Sequence, residues 1–155
     1  VCKNSLLKDI FYRNFGFYTN YESRKSREIF ETGKVAICFY WKSINRQVRV
    51  IGEIDKIPEN ISDEYFESRS LGSRIGAWAS IQSQPLKNRE TLLKRVEEFK
   101  NKFDENVPRP KHWGGFKIVP NEFEFWQDGD FRLHDRFILK PSDHFTLWEC
   151  QRYYP

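Results

Sequence analysis

Alternating apolar and polar positions dominate the chain and predict a structure built mainly of β-strands. In residues 46–54 (RQVRVIGEI), Val48 and Val50 alternate with Gln47 and Arg49, as in a strand with one buried face. Residues 35–41 (VAICFYW) form a nearly continuous apolar run. Further strand-like runs are NSLLKDIFY, FGFYTN, WGGFKIV, EFEFWQ, FRLHDRFIL and HFTLWEC. Several short strands at close spacing favour an antiparallel barrel or sandwich.

Turn-forming residues separate several of these runs. Asp128 and Gly129 predict a hairpin turn between EFEFWQ and FRLHDRFIL. Pro120 and Asn121 predict a second turn, and residues 14–16 a third.

Three helical segments interrupt the strands. Residues 23–32 have Ser23 as an N-cap and Gly33 just past the end. Residues 62–69 begin with a serine cap followed by two acids, which suit the positive end of a helix dipole. Residues 85–103 carry an apolar stripe that predicts core packing, formed by Leu92, Val96, Phe99 and Phe103.

Composition indicates one folded domain over residues 1–155, with an aromatic share of 17%. The net charge of +4, from 26 basic and 22 acidic residues, is too mild to indicate nucleic acid by itself. The three cysteines form no close pair, which argues against zinc or a disulfide framework and favours a reducing compartment, the cytoplasm. No apolar run reaches membrane length, and no signal peptide is visible.

Two clusters could bind an anion at a helix end. Arg24 and Lys25 open the first helix, where the dipole disfavours cations, so a phosphate there would explain them; two solvated surface cations would explain them equally well. Tyr65 and Arg69 share a helical face, and Ser73 follows Gly72, where the helix is expected to end. These three donors suit a phosphate, although a packed tyrosine beside an exposed arginine is the simpler alternative.

Two further groups of polar residues stand out. Gln82 and Ser83 precede the long helix, where they could contact a polar ligand or simply cap the helix. If FRLHDR is a strand, Arg132, His134 and Arg136 share one face among aromatic residues, which favours a site for an anion or an electron-rich ring.

Taken in order, several motifs resemble the pyridoxine (pyridoxamine) 5′-phosphate oxidase family: FYTNYESRK, FYWKSINRQVRV, SDEYFESR, IGAWASIQS, VPRPKHWGG, EFWQ and RLHDR. The resemblance runs from about Lys3 to Pro155 and implies a mainly β fold with α-helices, the FMN-binding split β-barrel. It also implies a homodimer with FMN at the subunit interface. The implied reaction oxidises pyridoxine or pyridoxamine 5′-phosphate to pyridoxal 5′-phosphate, with oxygen as acceptor and hydrogen peroxide as product.

The resemblance assigns roles residue by residue. The residues that match the family's FMN contacts are Lys3, Asn4, Ser5, Leu6, Tyr18, Thr19, Arg24, Lys25, Gln47, Gln82, Ser83, Trp126 and Arg136. The residues that match its clamp on the substrate phosphate are Lys8, Tyr65, Arg69 and Ser73. Arg132 and His134 match the catalytic residues beside the pyridine ring: Arg132 is expected to cover the ring, and His134 to bond its phenolic oxygen.

Two departures and two alternatives accompany this interpretation. Lys3 stands where the family usually has arginine, which keeps the charge but loses the two-pronged donor geometry. An N-terminal segment of the family is expected to be missing. The alternative functions are a split barrel that binds FMN or pyridoxal phosphate without turnover, and a small nucleic-acid-binding barrel.

Overall fold

A computed structural model describes residues 9–11, 14–143 and 147–155. The strands are β1 (Asp9–Phe11), β2 (Asn14–Asn20), β3 (Lys34–Trp41), β4 (Arg46–Lys56), β5 (Trp113–Gln127), β6 (Asp135–Pro141) and β7 (Trp148–Tyr153). The α-helices are α1 (Arg24–Thr32), α2 (Glu59–Glu67), α3 (Leu71–Ala79) and α4 (Arg89–Phe103). Short 3-10 turns cover Lys42–Ile44 and Asp130–Arg132.

Strand β5 organises the sheet because three other strands pair with it. All pairings are antiparallel: β2 and β6 pair with its two halves, and β4 pairs along its length. Strands β1, β3 and β7 extend the sheet from β2, β4 and β6. The β1–β2 pairing places residues 14–16 inside β2, so the turn predicted there is wrong.

The turn predicted at Pro120 and Asn121 is also wrong, because both residues lie inside β5. The register between β4 and β5 shifts between Ile51 and Gly52, opposite Pro120. Proline lacks the N–H that a regular ladder requires, and a bulge accommodates it. A Cβ atom on Gly52 would lie 2.2 Å from the Val119 carbonyl oxygen, so the close approach of the strands requires glycine.

Two apolar clusters hold the helices against the sheet. One contains Phe17, Ile29, Phe116 and Ile118 and packs α1 against β2 and β5. The other contains Phe66, Ile75, Val107 and Trp113 and joins α2 and α3 to the start of β5. None of the helices in the described ranges is long and apolar enough to cross a membrane.

Helix α1 agrees with the sequence prediction at both ends. The Ser23 side chain accepts a hydrogen bond from the Ser26 backbone N–H, and Gly33 ends the helix with a left-handed φ of 64°. Helix α4 begins later than predicted: it starts at Arg89, and the Asn88 side chain caps it by accepting from the Thr91 N–H. Residues 85–88 therefore precede the helix.

Helix α2 begins earlier than predicted. It starts at Glu59 after Pro58, and proline fixes a φ suited to the entry of a helix. Ser62 is therefore not a cap but a buried residue in the middle of the helix.

Helix α3 was not predicted, and Gly72 and Ser73 lie in its first turn instead of following a helix. Two glycines in nine residues weaken its intrinsic helical preference. Packing compensates, because Ile75 and Ala79 are buried and the Trp78 ring contacts Phe103 of α4.

Candidate functional site

The end of β2 and the loop after α3 bring two groups of candidate residues together. The Gln82 side-chain oxygen accepts from the Asn20 backbone N–H at 3.3 Å and lies 3.5 Å from the Thr19 hydroxyl. Thr19 and Asn20 are buried, whereas Gln82 is exposed. The neighbouring Ser83 has a φ of 69°. The Thr19 hydroxyl and the Gln82 side-chain amide form one polar patch, so Gln82 does more than cap the following helix.

The α1 N-terminus lies immediately after this patch and presents cations. Arg24 is exposed and forms an ion pair with Glu28 at 2.8 Å, one helical turn away. Such exposed pairs contribute little, about 0.3–0.5 kcal/mol, so an anion could displace Glu28 at small cost. Lys25 is partly buried. Cationic side chains, a hydroxyl and an amide are the donors that a phosphate and a polyol chain require.

A stack of three aromatic rings adjoins the end of β2. The Tyr18 ring lies 4.0 Å from that of Tyr65 and 5.4 Å from that of Trp113, with all three rings nearly parallel. Arg69 lies beyond the end of α2, and its guanidinium carbon sits 4.7 Å from the Trp113 ring centroid. Tyr65 and Arg69 both contact the Trp113 ring, but the prediction that they share one helical face is wrong, because α2 ends at Glu67 and Arg69 lies outside it.

The Arg69 guanidinium has a donor available to bind an anion. Its Nη1 atom is buried and has no hydrogen-bond partner among the described residues. Burial lowers the pKa of Arg69 from its usual value, although the interaction with Tyr65 opposes this effect. A buried, unbonded donor on a cation is costly unless a ligand satisfies it. Ser73, the other described candidate for the phosphate clamp, is exposed, and its hydroxyl lies 2.9 Å from that of Ser70.

The remaining flavin candidates lie side by side on three strands. Gln47 of β4 is opposite Trp126 of β5, and Trp126 is opposite Arg136 of β6. Arg136 donates through Nε to Glu124 at 2.9 Å and through Nη1 to the Tyr154 carbonyl at 3.1 Å. The other carboxylate oxygen of Glu124 accepts a hydrogen bond from Arg49.

Glu124 is the buried centre of this charge cluster, with only 5% of its surface exposed. Burial alone would raise the pKa of the Glu124 carboxyl, but the hydrogen bonds from Arg136 and Arg49 prevail and hold it below its usual range. Sequence reasoning missed Glu124, although a lone acid between the aromatic residues of EFEFWQ could have signalled a buried ion pair.

Only the last two residues of FRLHDR belong to a strand, so the prediction that Arg132, His134 and Arg136 share one strand face is wrong. Strand β6 begins at Asp135, and residues 128–134 form a connection with a 3-10 turn. Phe131 and Arg132 both have left-handed φ angles, 56° and 65°. Asp128 and Gly129 therefore start a hairpin connection, as predicted, but the connection is longer than a tight turn.

Loop contacts explain why the alternation fails. Gly129 approaches Leu133 so closely that a Cβ atom on it would lie 2.4 Å from the Leu133 carbonyl oxygen. The Gly129 N–H donates to His134 Nδ1 at 3.2 Å, and Asp128 lies 3.1 Å from the same nitrogen. The His134 ring packs on Trp126 at 4.7 Å, whereas Arg132 is exposed.

The described candidates form two groups at opposite ends of β5. The N-terminal group surrounds Trp113, and the C-terminal group surrounds Trp126. These two tryptophans are 13 positions apart along β5, which corresponds to about 40 Å of fully extended chain. The sheet of one chain therefore separates the two groups. The candidates Lys3, Asn4, Ser5, Leu6 and Lys8 lie outside the described residues.

Solved structures define the class of the fold. PhzG from Burkholderia lata, in complex with tetrahydrophenazine-1-carboxylic acid, is 29% identical with a TM-score of 0.86, over 97% of this chain and 73% of that one. A pyridoxamine 5′-phosphate oxidase-related, FMN-binding protein from Nostoc punctiforme has a TM-score of 0.73 at 14% identity, over 97% of this chain and 79% of its own. The fold is that of the FMN-binding split barrel, as the resemblance implied.

Sequence comparisons define the family. Residues 10–103 match the family model described as pyridoxamine 5′-phosphate oxidase, and residues 113–155 match that of the pyridoxine 5′-phosphate oxidase C-terminal dimerisation region. A pyridoxine/pyridoxamine 5′-phosphate oxidase of Myxococcus xanthus is 49% identical over 151 residues, which are 97% of this chain and 72% of the relative. The chain belongs to the pyridoxamine 5′-phosphate oxidase family, and the prediction made from the motifs is confirmed.

Proposed function

We propose that the protein is an FMN-dependent oxidase that converts pyridoxine or pyridoxamine 5′-phosphate to pyridoxal 5′-phosphate, with oxygen as acceptor and hydrogen peroxide as product; with the pyridoxamine substrate, water is also consumed and ammonia is released. The observation that carries this proposal is Arg69, which holds an unbonded, buried Nη1 beside a stack containing Tyr18. Arg69 is a candidate for the substrate phosphate and Tyr18 for the flavin. Both side chains contact the Trp113 ring, and this proximity suits a reaction in which a phosphorylated ring meets a flavin.

The donors at the end of β2 suit FMN. Arg24 and Lys25 would hold its phosphate at the α1 N-terminus, and Thr19 and Gln82 would bond its polyol chain. When bound, the flavin supplies the acceptor for two electrons and a proton from the substrate.

A second copy of the chain would complete the site. Trp126 and Arg136 lie at the far end of β5 from Tyr18, so we infer that they reach the flavin bound by the partner subunit. The match of residues 113–155 to a dimerisation region supports a homodimer with two such composite sites. This arrangement also allows a chain of only +4 net charge to surround two phosphorylated ligands.

The chain's own residues would contribute position and electrostatics. Arg69 and Tyr65 would fix the substrate phosphate, and orientation of this kind can lower a barrier by up to about 7–11 kcal/mol in favourable systems. The Gly129 N–H and the Asp128 carboxylate both lie within hydrogen-bond distance of His134 Nδ1, and these contacts would hold the imidazole so that its other nitrogen, Nε2, addresses the ring's phenolic oxygen. Arg132, in the exposed turn beside it, would cover the ring.

The test is oxidation of pyridoxamine 5′-phosphate by the purified protein reconstituted with FMN. We expect a yellow protein that forms pyridoxal 5′-phosphate and hydrogen peroxide in equal amounts. A protein that does not bind FMN would refute the proposal, and one that binds FMN without turnover would favour the non-catalytic alternative. Steeply salt-dependent binding of DNA or RNA would favour the nucleic-acid alternative.

A variant of Arg132 tests the roles assigned to the loop. We expect Arg132→Ala to lower kcat/KM for pyridoxine 5′-phosphate at least tenfold. The matched control is Arg152→Ala, which removes an arginine that forms an exposed ion pair with Asp135 at 2.9 Å. Unchanged turnover in Arg132→Ala would show that the role given to Arg132 is wrong.

A further inference from the structure

Trp113 is the one described residue whose ring contacts Tyr18, Tyr65 and Arg69 together. The plane of its ring lies within 10° of the Tyr18 ring plane and within 6° of the Tyr65 ring plane. The guanidinium carbon of Arg69 lies 4.7 Å from the centroid of the Trp113 ring. No role was assigned to Trp113 from the sequence. It nevertheless joins a flavin candidate to two candidates for the phosphate clamp.

The contact with Arg69 leaves the arginine's donors available. A guanidinium over an aromatic face is attracted through its charge, so the contact consumes none of the five N–H groups in its plane. Phe66 adds a second aromatic contact, with its centroid 5.6 Å from the guanidinium carbon. A carboxylate partner would fix the arginine equally well, but it would occupy the donors and repel a phosphate.

Trp113 is itself firmly held. Only 7% of its surface is exposed, and its ring meets Phe66 edge to face at 5.1 Å. Its carbonyl accepts from Arg109 Nη1 at 2.8 Å, and Arg109 Nε donates to Asp63 of α2 at 2.5 Å. The indole is thus fixed at the point where α2 meets β5, and its orientation is set before a ligand arrives.

We propose that Trp113 is a positioning residue for the substrate phosphate: its ring orients Arg69 without using the arginine's donors and keeps the phosphate clamp in register with Tyr18. This inference rests on the proposed oxidase function and goes further, because it assigns a role to a residue that would act on the substrate through the clamp residues it contacts.

The main test is Trp113→Leu in the FMN-loaded enzyme. We expect KM for pyridoxine 5′-phosphate and the inhibition constant of inorganic phosphate to rise roughly 2- to 30-fold, the range for loss of a partly desolvated cation–π contact. We expect kcat to change less than KM, because the lost interaction acts on binding. Trp113→Phe keeps an aromatic face and should show a smaller increase, so it serves as the test if the leucine variant fails to fold.

Two comparisons separate positioning from general destabilisation. Trp78→Leu removes another partly buried tryptophan, one that packs on Phe99 and Phe103, and should lower stability without raising KM. In an Arg69→Ala background, Trp113→Leu should raise KM by a smaller factor, since Arg69 is one of the two clamp candidates that the Trp113 ring contacts. An unchanged KM and inhibition constant in Trp113→Leu, or an equal increase with and without Arg69, would overturn the inference.

The proposed function and this inference fail in different ways. A wild-type protein without oxidase activity would refute the function. Calorimetric titration of inorganic phosphate into the wild type and Trp113→Leu would then still test whether Trp113 acts on Arg69. An active wild type with an unaffected Trp113→Leu variant would refute the inference alone.

Discussion

Replacement of Glu124 by glutamine removes a buried negative charge that two arginines share. The Glu124 carboxylate accepts from Arg136 Nε at 2.9 Å and from Arg49 on its other oxygen. Glutamine has nearly the same shape and keeps one carbonyl acceptor. The substitution therefore tests the charge and one hydrogen bond, with little change in packing.

The two arginines contribute unequally to the expected loss. The Arg49 side chain is 48% exposed, so solvent screens its interaction with Glu124, whereas that of Arg136 is 29% exposed. A buried cation that loses its partner costs about 3–5 kcal/mol, and a weakened hydrogen bond to a charged group about 1–3 kcal/mol. Because glutamine still accepts from Arg136, we expect about 2 kcal/mol, which lowers Tm by about 4–8 °C in a chain of this size.

The lowered pKa of Glu124 predicts how the effect of Glu124→Gln on stability changes with pH. The pKa of Glu124 is lowered in the folded state, so its contribution to stability is present above the ordinary carboxyl pKa of 4.5 and is lost as pH falls through the lowered value. The difference in unfolding free energy between wild type and Glu124→Gln should therefore be full at pH 7 and shrink below pH 4.5.

Urea unfolding at a fixed protein concentration measures both effects. Asp135→Asn is the control, since it removes an acid whose ion pair with Arg152 is exposed and should change stability by less than about 0.5 kcal/mol. Equal stability of wild type and Glu124→Gln at pH 7 would contradict the expectation, and so would a difference that persists undiminished at acidic pH.

Two further predictions concern the scaffold. Gly52→Ala should destabilise the protein by about 1–3 kcal/mol, because the new Cβ would lie 2.2 Å from the Val119 carbonyl oxygen. Gly72→Ala is the control, because a Cβ there would meet open space and should leave stability unchanged or slightly higher. Chemical denaturation compares the unfolding free energies of the two variants. Burial is the main cause that raises the pKa of Tyr21. Its contribution to stability is therefore present below pH 10 and lost as pH rises through the raised pKa. The unfolding free energies of wild type and Tyr21→Phe should converge as alkaline pH passes through that raised pKa.

Local signals predicted the parts of the fold that local interactions determine. Helix α1 has its serine cap and left-handed glycine within a few residues of one another, and both ends were predicted correctly. The alternation of Val48 and Val50 with polar residues likewise predicted β4. In each case the deciding contacts lie within one turn or one strand, where side-chain periodicity is informative.

Long-range contacts decided the elements that the sequence did not predict. Gly72 suggests a helix end, yet it lies in the first turn of α3, which forms because Ile75 and Ala79 are buried by distant residues. Pro120 suggests a turn, yet β5 passes through it because the register with β4 shifts there, which leaves Asn121 of β5 as an extra residue in a bulge. The alternation in FRLHDR depends on an extended backbone, and the close approach of Gly129 to Leu133 abolishes it.

The distance between the two groups of candidate residues determines how many chains form one flavin site, and the motifs alone give no distances. A motif assigns Tyr18 and Trp126 to the same flavin, but β5 places them at opposite ends of a strand of about 40 Å. If both assignments are correct, each flavin must lie between two chains, and a monomer can provide only half of its contacts. Cofactor binding and dimerisation are then thermodynamically linked. Because the dimer has two composite sites, FMN bound at both should strengthen dimerisation by the square of the factor by which dimerisation strengthens FMN binding at each site.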